Sequence, residues 1–332
     1  MIDKIYPPKL SKGDKIGVIA TSTPITTLKE GQIKQGYHYL ESKGFTVIEH
    51  PQCRKKKDYT AGTVKERVRA IHQFVKDKEI KCIMAFWGGL NTNQILDYLD
   101  YDLIKANPKI FIGYSDTCAL LQALTTKTGL VTYMGPAVIT FAKPDPFNYS
   151  WEYFSKMCIK DSKEVAIKDS KVFADDLYFL RKDNDHRIIQ KNPGIKIFRE
   201  GKAQGSIVAC NLSTLLALWG TEYFPFLKEK ILFIEEAEDL DYRWIHRFMT
   251  QLKQIGAFKL IKGLVIGKFM TASNISESQL LEILNEVIGK IEIPVIYDAN
   301  FGHTDPIFTV PNGGKCKINT FFNKISFIQD RI

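Results

Sequence analysis

Residues 109–117 read Lys109-Ile110-Phe111-Ile112-Gly113-Tyr114-Ser115-Asp116-Thr117, and the apolar run Cys118-Ala119-Leu120-Leu121 follows at once. The stretch Lys109-Ile110-Phe111-Ile112 predicts a buried strand, and 117–124 predicts a helix. A strand passing straight into a helix is half of a parallel crossover unit. The turn between them is similar in form to a nucleophile elbow, in which a serine hydroxyl is exposed at the carboxyl end of a strand and the next N–H groups face a developing oxyanion. The match to G-x-S-x-G is incomplete, because position 117 is Thr. Ser115 or Asp116 could instead simply cap the helix.

Working outward, the same alternation repeats. Strands are expected at 15–20, 45–49 and 81–86, separated by helices over 27–42, 64–75 and 91–99, where Val64, Val68, Ile71 and Val75 fall at helical spacing. The pattern weakens after Phe141, with breaks at Pro144 and Pro146, a short helix over 151–158, and a polar segment over 175–192 that reads as a long surface loop or hairpin. It resumes with strands at 206–209, 231–234, 263–266 and 295–297 and helices over 212–219, 242–255 and 277–288. The tail changes to short strands at 308–310, 315–318 and 324–328, with Asn312-Gly313-Gly314 as a turn. The expected division is 1–145, a linker and insert over 146–205, and 206–332. Strands separated by helices make the fold class α/β, with parallel pairing.

The chain has 332 residues, a formal net charge of +9, 45% hydrophobic and 25% charged residues. That composition excludes wholesale disorder and a disulfide-knit miniprotein, and the length suits two domains. Basic residues such as Arg54, Lys55, Lys56 and Lys57 can draw an anionic partner or simply face solvent. No dense basic stripe or nucleic-acid motif is present, so nucleic acid is not an expected partner. Cys53, Cys82, Cys118, Cys158, Cys210 and Cys316 form no C-x-x-C pair. G-x-G-x-x-G, G-x-x-x-x-G-K-[ST] and H-E-x-x-H are absent too, so neither a metal nor a cofactor is expected. The first 20 residues do not read as a signal peptide, and no apolar run reaches the roughly 20 residues of a membrane span. A cytoplasmic protein without a membrane partner is the expectation.

A nucleophilic serine needs a base and a group to orient it. Of His38, His50, His72, His186, His246 and His303, only the last lies in an irregular Gly- and Pro-bounded loop, Asn300-Phe301-Gly302-His303-Thr304-Asp305-Pro306, just after a strand. Lys230-Ile231-Leu232-Phe233-Ile234-Glu235-Glu236 puts two carboxylates where a buried strand ends. Alternation sends them to opposite faces without saying which face is the site. Gly88-Gly89, between a strand and a helix, could aim N–H groups at an anion or merely make a tight turn.

Taken together, Lys15-Ile16-Gly17-Val18-Ile19-Ala20, Phe86-Trp87-Gly88-Gly89, Gly113-Tyr114-Ser115-Asp116, Asn211-Leu212-Ser213-Thr214-Leu215, Ile231 to Glu236, Lys262 to Gly267 and Phe301-Gly302-His303-Thr304 resemble the LD-carboxypeptidase family of serine peptidases. That family includes muramoyltetrapeptide carboxypeptidases and microcin C immunity peptidases. The resemblance spans nearly the whole chain. It implies a Rossmann-like N-terminal domain with a parallel sheet but no dinucleotide site, a C-terminal α/β domain with a β-rich end, and a homodimer. It also implies Ser115 as nucleophile, His303 as base and Glu235 as the orienting carboxylate. The family usually has Glu-Asp where this chain has Glu235-Glu236, which makes Glu236 a competitor. The oxyanion hole is expected from the N–H groups of Asp116 and Gly89, with Gly88 beside them in substrate binding. The implied substrate is the L,D amide to terminal D-alanine in a cytosolic murein tetrapeptide, or alternatively a peptidyl-aminoacyl-nucleotide. For the latter, Tyr178 is the candidate aromatic to stack on a base. An alternative of another class is a non-catalytic two-domain ligand-binding module.

Overall fold

The computed structural model describes residues 3–144, 147–181, 186–237 and 240–329. Two sheets carry the molecule. The first has six strands in the order Val310–Asn312, Thr132–Met134, Ile110–Gly113, Ile80–Ala85, Lys15–Ile19, Thr46–Glu49. All neighbours are parallel except the first pair. The apolar strands at its centre are buried along their length except at Lys81, as expected where helices cover both faces. Helix Val64–Lys76 shows how such a cover is specified. Thr63 and Glu66 form a capping box at its start, and Val68, Ile71, Phe74 and Val75 make its buried stripe.

The second sheet has eight strands in the order Glu164–Ala166, Lys324–Ile328, Lys315–Asn319, Lys202–Asn211, Lys230–Glu235, Gly263–Gly267, Val295–Ala299, Lys196–Arg199. The four from Lys202–Asn211 to Val295–Ala299 run parallel, and the flanking ones are antiparallel. The α/β class and the β-rich end are therefore as expected.

Helix Cys118–Thr128 is apolar on nearly every side because it is buried between the two halves. Its Gln122 Nε2 donates to Ala209 O at 2.6 Å and to Asn312 Oδ1 at 3.1 Å. Asn312 Oδ1 also accepts from Ala209 N at 3.1 Å, while its Nδ2 donates to Thr125 Oγ1 at 3.0 Å and Thr132 Oγ1 at 3.2 Å. Residues at or just past the carboxyl ends of both parallel sets, Gly88 and Ser115 in the first and Asn211 and Glu236 in the second, line one cavity, the usual place for a site in open α/β sheets.

Several boundaries differ from expectation. The segment 146–205 is more than a linker and insert: it supplies both edge strands of the second sheet, Glu164–Ala166 and Lys196–Arg199. Val310–Asn312 belongs to the first sheet although it lies in the 206–332 range. Strands of three or four residues are too short for a period to show in sequence. The helix expected over 91–99 is a 3₁₀ segment, Thr92–Tyr98, followed by helix Tyr101–Ala106 with Asp100 as its N-cap. The 175–192 segment contributes Gln190–Lys191, which pairs with the preceding Val172–Phe173 in a two-stranded ribbon, and a 3₁₀ turn at Tyr178–Leu180. Residues 182–185 of that segment lie outside the described residues.

Candidate active site

Ser115 follows strand Ile110–Gly113 with a φ of 61°. That left-handed conformation is unusual for a residue with a side chain and marks a sharp turn. Asp116 and Thr117 continue the 3₁₀ turn into helix Cys118–Thr128. Neither side chain caps the helix. Asp116 instead accepts the Thr92 N–H at 2.7 Å, and its pKa is raised by burial, against which that bond acts. The capping alternative therefore does not describe this turn.

The loop at Gly88 and Gly89 presses directly on Ser115. A Cβ on Gly88 would stand 2.6 Å from Ser115 Cβ and Oγ and 3.2 Å from Asp116 N, so only glycine allows this approach. The loop is pinned from the end of the first strand. Ser22 Oγ accepts the N–H groups of Leu90 and Asn91, each at 3.0 Å, and Trp87 Nε1 donates to Thr23 O at 2.9 Å.

From the other half, Glu235 is the last residue of its strand and its side chain is fully buried. Its Oε2 lies 2.6 Å from Nδ1 of His303. A carboxylate only accepts, so Nδ1 carries a hydrogen in this contact, and in the neutral imidazole Nε2 is then the nitrogen with the lone pair. The room for this carboxylate comes from Gly302, whose φ is +101° and where a Cβ would lie 2.4 Å from Glu235 Oε2. The His303 ring packs edge-on against Tyr114 at 5.2 Å between centroids.

Ser115 and His303 both line one cavity of about 490 Å³, together with Gly88, Gly89, Asp116 and Tyr114 from the first half and Asn211, Ser213 and Glu236 from the second. Glu236 is engaged by other partners. It accepts from Asn211 Nδ2 at 2.8 Å, Ser213 N at 2.8 Å, Ser213 Oγ at 3.2 Å and Ala237 N at 2.9 Å. Burial, and then the charge of Glu235, push its pKa up. The contact with His303 thus belongs to Glu235, and Glu236 organises the cavity wall.

One expectation is corrected. Tyr178 is not placed to stack on a ligand: it is 2% exposed, and its hydroxyl donates to Ala142 O at 2.6 Å and accepts from Gln32 Nε2 at 3.3 Å. The cavity is lined by its neighbour Phe179. Successive residues of a tight turn face different ways, so sequence could indicate an aromatic pair here but not which ring faces inward. Sequence reasoning also missed Asn211 and Ser213 as wall residues. Their signal was there, a polar residue ending a buried strand just ahead of a helix, with Asn211 accepting the Thr214 N–H as N-cap. Among the described residues no helix is long and apolar enough to cross a membrane.

Comparison with known proteins covers both halves. The LD-carboxypeptidase N-terminal domain matches residues 16–135, and the LD-carboxypeptidase C-terminal domain matches residues 204–318. A putative carboxypeptidase of Bacillus subtilis, YocD, is 38% identical over 95% of this chain and 96% of its own length. The microcin C7 self-immunity protein MccF of Escherichia coli is 35% identical over 95% of this chain and 93% of its own. A structure of MccF in complex with aspartyl sulfamoyl adenosine superposes with a TM-score of 0.91 at 32% identity, covering 98% of this chain and 99% of the other.

Proposed function

Because the chain belongs to the LD-carboxypeptidase family and is thereby a serine peptidase, we propose that it cleaves an amide in a small substrate through Ser115, His303 and Glu235. The observation that carries this reading is the 2.6 Å contact of His303 Nδ1 with buried Glu235, at a cavity that Ser115 also lines.

In this mechanism His303 Nε2 takes the Ser115 hydroxyl proton as Oγ attacks the scissile carbonyl. Glu235 keeps the imidazole in the Nδ1–H form and stabilises it once it is charged. The carbonyl electron pair moves onto oxygen, where the N–H groups of Gly89 and Asp116 would receive it. A donor of that kind is worth about 2.7–4 kcal/mol. The tetrahedral species collapses as His303 returns the proton to the departing nitrogen. Water, deprotonated by His303 Nε2, then attacks the ester carbonyl, and the same imidazole returns the proton to Ser115 Oγ as the acid leaves. The sharp turn at Ser115 and the Gly88 approach favour this role, since both fix the hydroxyl before substrate arrives.

Phe179 on the cavity wall favours a substrate with a planar group, and MccF is recorded with an aminoacyl sulfamoyl nucleoside bound. We therefore rank a peptidyl- or aminoacyl-nucleotide ahead of the murein tetrapeptide. The test is amino-acid release from aspartyl sulfamoyl adenosine beside D-alanine release from murein tetrapeptide, with Ser115→Ala as control. Activity on the nucleoside that vanishes in Ser115→Ala is expected, with kcat lowered at least about 10³-fold. Release of D-alanine alone would return the murein substrate to first place. Turnover surviving in Ser115→Ala would reject the nucleophile. The same assay bears on the binding-module alternative, which requires no turnover of either substrate.

A further inference from the structure

Behind the cavity lies a cluster of charges that the proposed chemistry does not use. Asp176 and Arg187 come from the 175–192 segment, Asp305 from the His303 loop and Lys143 from the first half. Their side chains are 1%, 3%, 9% and 7% exposed. Arg187 Nη2 reaches Asp176 Oδ1 at 2.8 Å and Asp305 Oδ2 at 2.9 Å, and Nε reaches Asp176 at 3.0 Å. Lys143 Nζ donates to the same Asp305 oxygen. The guanidinium lies 5.6 Å from the Phe147 ring centroid and 5.8 Å from that of Tyr178. Two buried cations thus meet two buried anions, and the less buried Arg181 Nη1 adds a third cation 3.1 Å from Asp176 Oδ2.

Such a cluster gains little net stability over an apolar one, but breaking it is costly, so its geometry is well defined. What it joins is specific. The backbones of Ala174 and Asp305 exchange two hydrogen bonds, at 2.7 and 2.9 Å. Phe179 sits three residues beyond Asp176, and His303 two residues before Asp305. Although burial opposes charge on both partners, their mutual contacts prevail, holding the Asp176 pKa below its usual value and that of Arg187 above.

We propose that Arg187 is a positioning residue: by bridging Asp176 to Asp305 it locks the segment bearing Phe179 to the loop bearing His303, so that substrate wall and catalytic base are set together. The proposal deepens the peptidase reading and rests on it for its kinetic consequence. Its structural consequence stands independently. Arg187→Lys keeps one charge but cannot bridge two carboxylates in the same fork geometry, whereas Arg187→Met removes the bridge.

Amide hydrogen exchange on the free protein is the first readout. Arg187→Met should speed exchange at Ala174 and at Asp305 together, by about tenfold or more, with Arg187→Lys intermediate. Faster exchange at Ala174 with Asp305 unchanged would overturn the coupling. The second readout is hydrolysis of aspartyl sulfamoyl adenosine or murein tetrapeptide, whichever the wild type cleaves. Arg187→Met should lower kcat by about 10- to 100-fold, as expected for a base displaced by a fraction of an ångström, and should also raise KM. Wild-type kcat and KM in that variant would reject the role. If the wild type cleaves neither substrate, the peptidase reading fails while the exchange result still decides the coupling. Should Arg187→Met not fold, Asp176→Asn releases the same bridge from its other end and is held to the same two outcomes.

Discussion

At the scale of single residues, neighbours in sequence are given opposite tasks. Phe179 lines the cavity while Tyr178 is sealed behind it. Phe179→Ala should therefore weaken binding of a nucleoside substrate by about 1–3 kcal/mol, the value of one stacked ring, read as a rise in KM. Tyr178→Ala should act on melting temperature instead. Glu235 and Glu236 divide in the same way, one contacting His303 and the other collecting four donors. Glu236 holds its proton more tightly in the fold than its ordinary value of 4.5 implies, burial being the main cause. A raised folded pKa stabilises the protein below the unfolded value, and that stabilisation is lost as pH climbs through the folded one. The melting temperature of Glu236→Gln, minus that of wild type, should thus become more positive as pH rises from about 4.5 toward neutrality. A difference independent of pH would show that Glu236 does not titrate in this window. Ser115, His303 and the Glu235-Glu236 pair were all legible in sequence, since each ends or follows a strand. Local pattern left the choice between Glu235 and Glu236 open, because alternation separates two faces without telling which one is the cavity, and only the family resemblance favoured Glu235.

Elements show why some of the architecture could be read and some could not. Long apolar strands such as Ile80–Ala85 and Lys230–Glu235 announce themselves, as does helix Val64–Lys76 with its capping box. Thr132–Met134, of three residues, does not, and the short strand expected at 308–310 forms two residues later, at Val310–Asn312. Nor could sequence show that the polar 175–192 segment hides a buried Asp–Arg contact, because charged residues in a loop read as solvated. The loop carrying His303 depends on one glycine. Gly302→Ala combines a φ of +101° with a Cβ 2.4 Å from Glu235 Oε2. It should cost about 1–3 kcal/mol of stability from backbone strain. It should also push the carboxylate off His303 and lower kcat by about 10²-fold or more. Denaturant unfolding and steady-state kinetics check the two effects separately. A variant that loses stability but keeps kcat would mean that Glu235 does not need this approach.

For the whole molecule, the decisive feature is how the halves are joined. Asn312 is fully buried and ties strand Thr132–Met134 and helix Cys118–Thr128 of one half to Ala209 of the other. Asn312→Ala strands several buried donors and acceptors at once, and should destabilise the protein by about 2–4 kcal/mol, measured by chemical denaturation. A loss under about 0.5 kcal/mol would place the join elsewhere. This arrangement also has a consequence for synthesis. The outermost strand of the first sheet is drawn from residues 310–312, after the whole second sheet but its last two strands has been made. A chain emerging from a ribosome can collapse its early strands, yet the open side of that sheet stays bare until residues 310–312 have been translated. The sheet that carries Ser115 is thereby an unfinished scaffold until residues 310–312 have emerged and paired with Thr132–Met134.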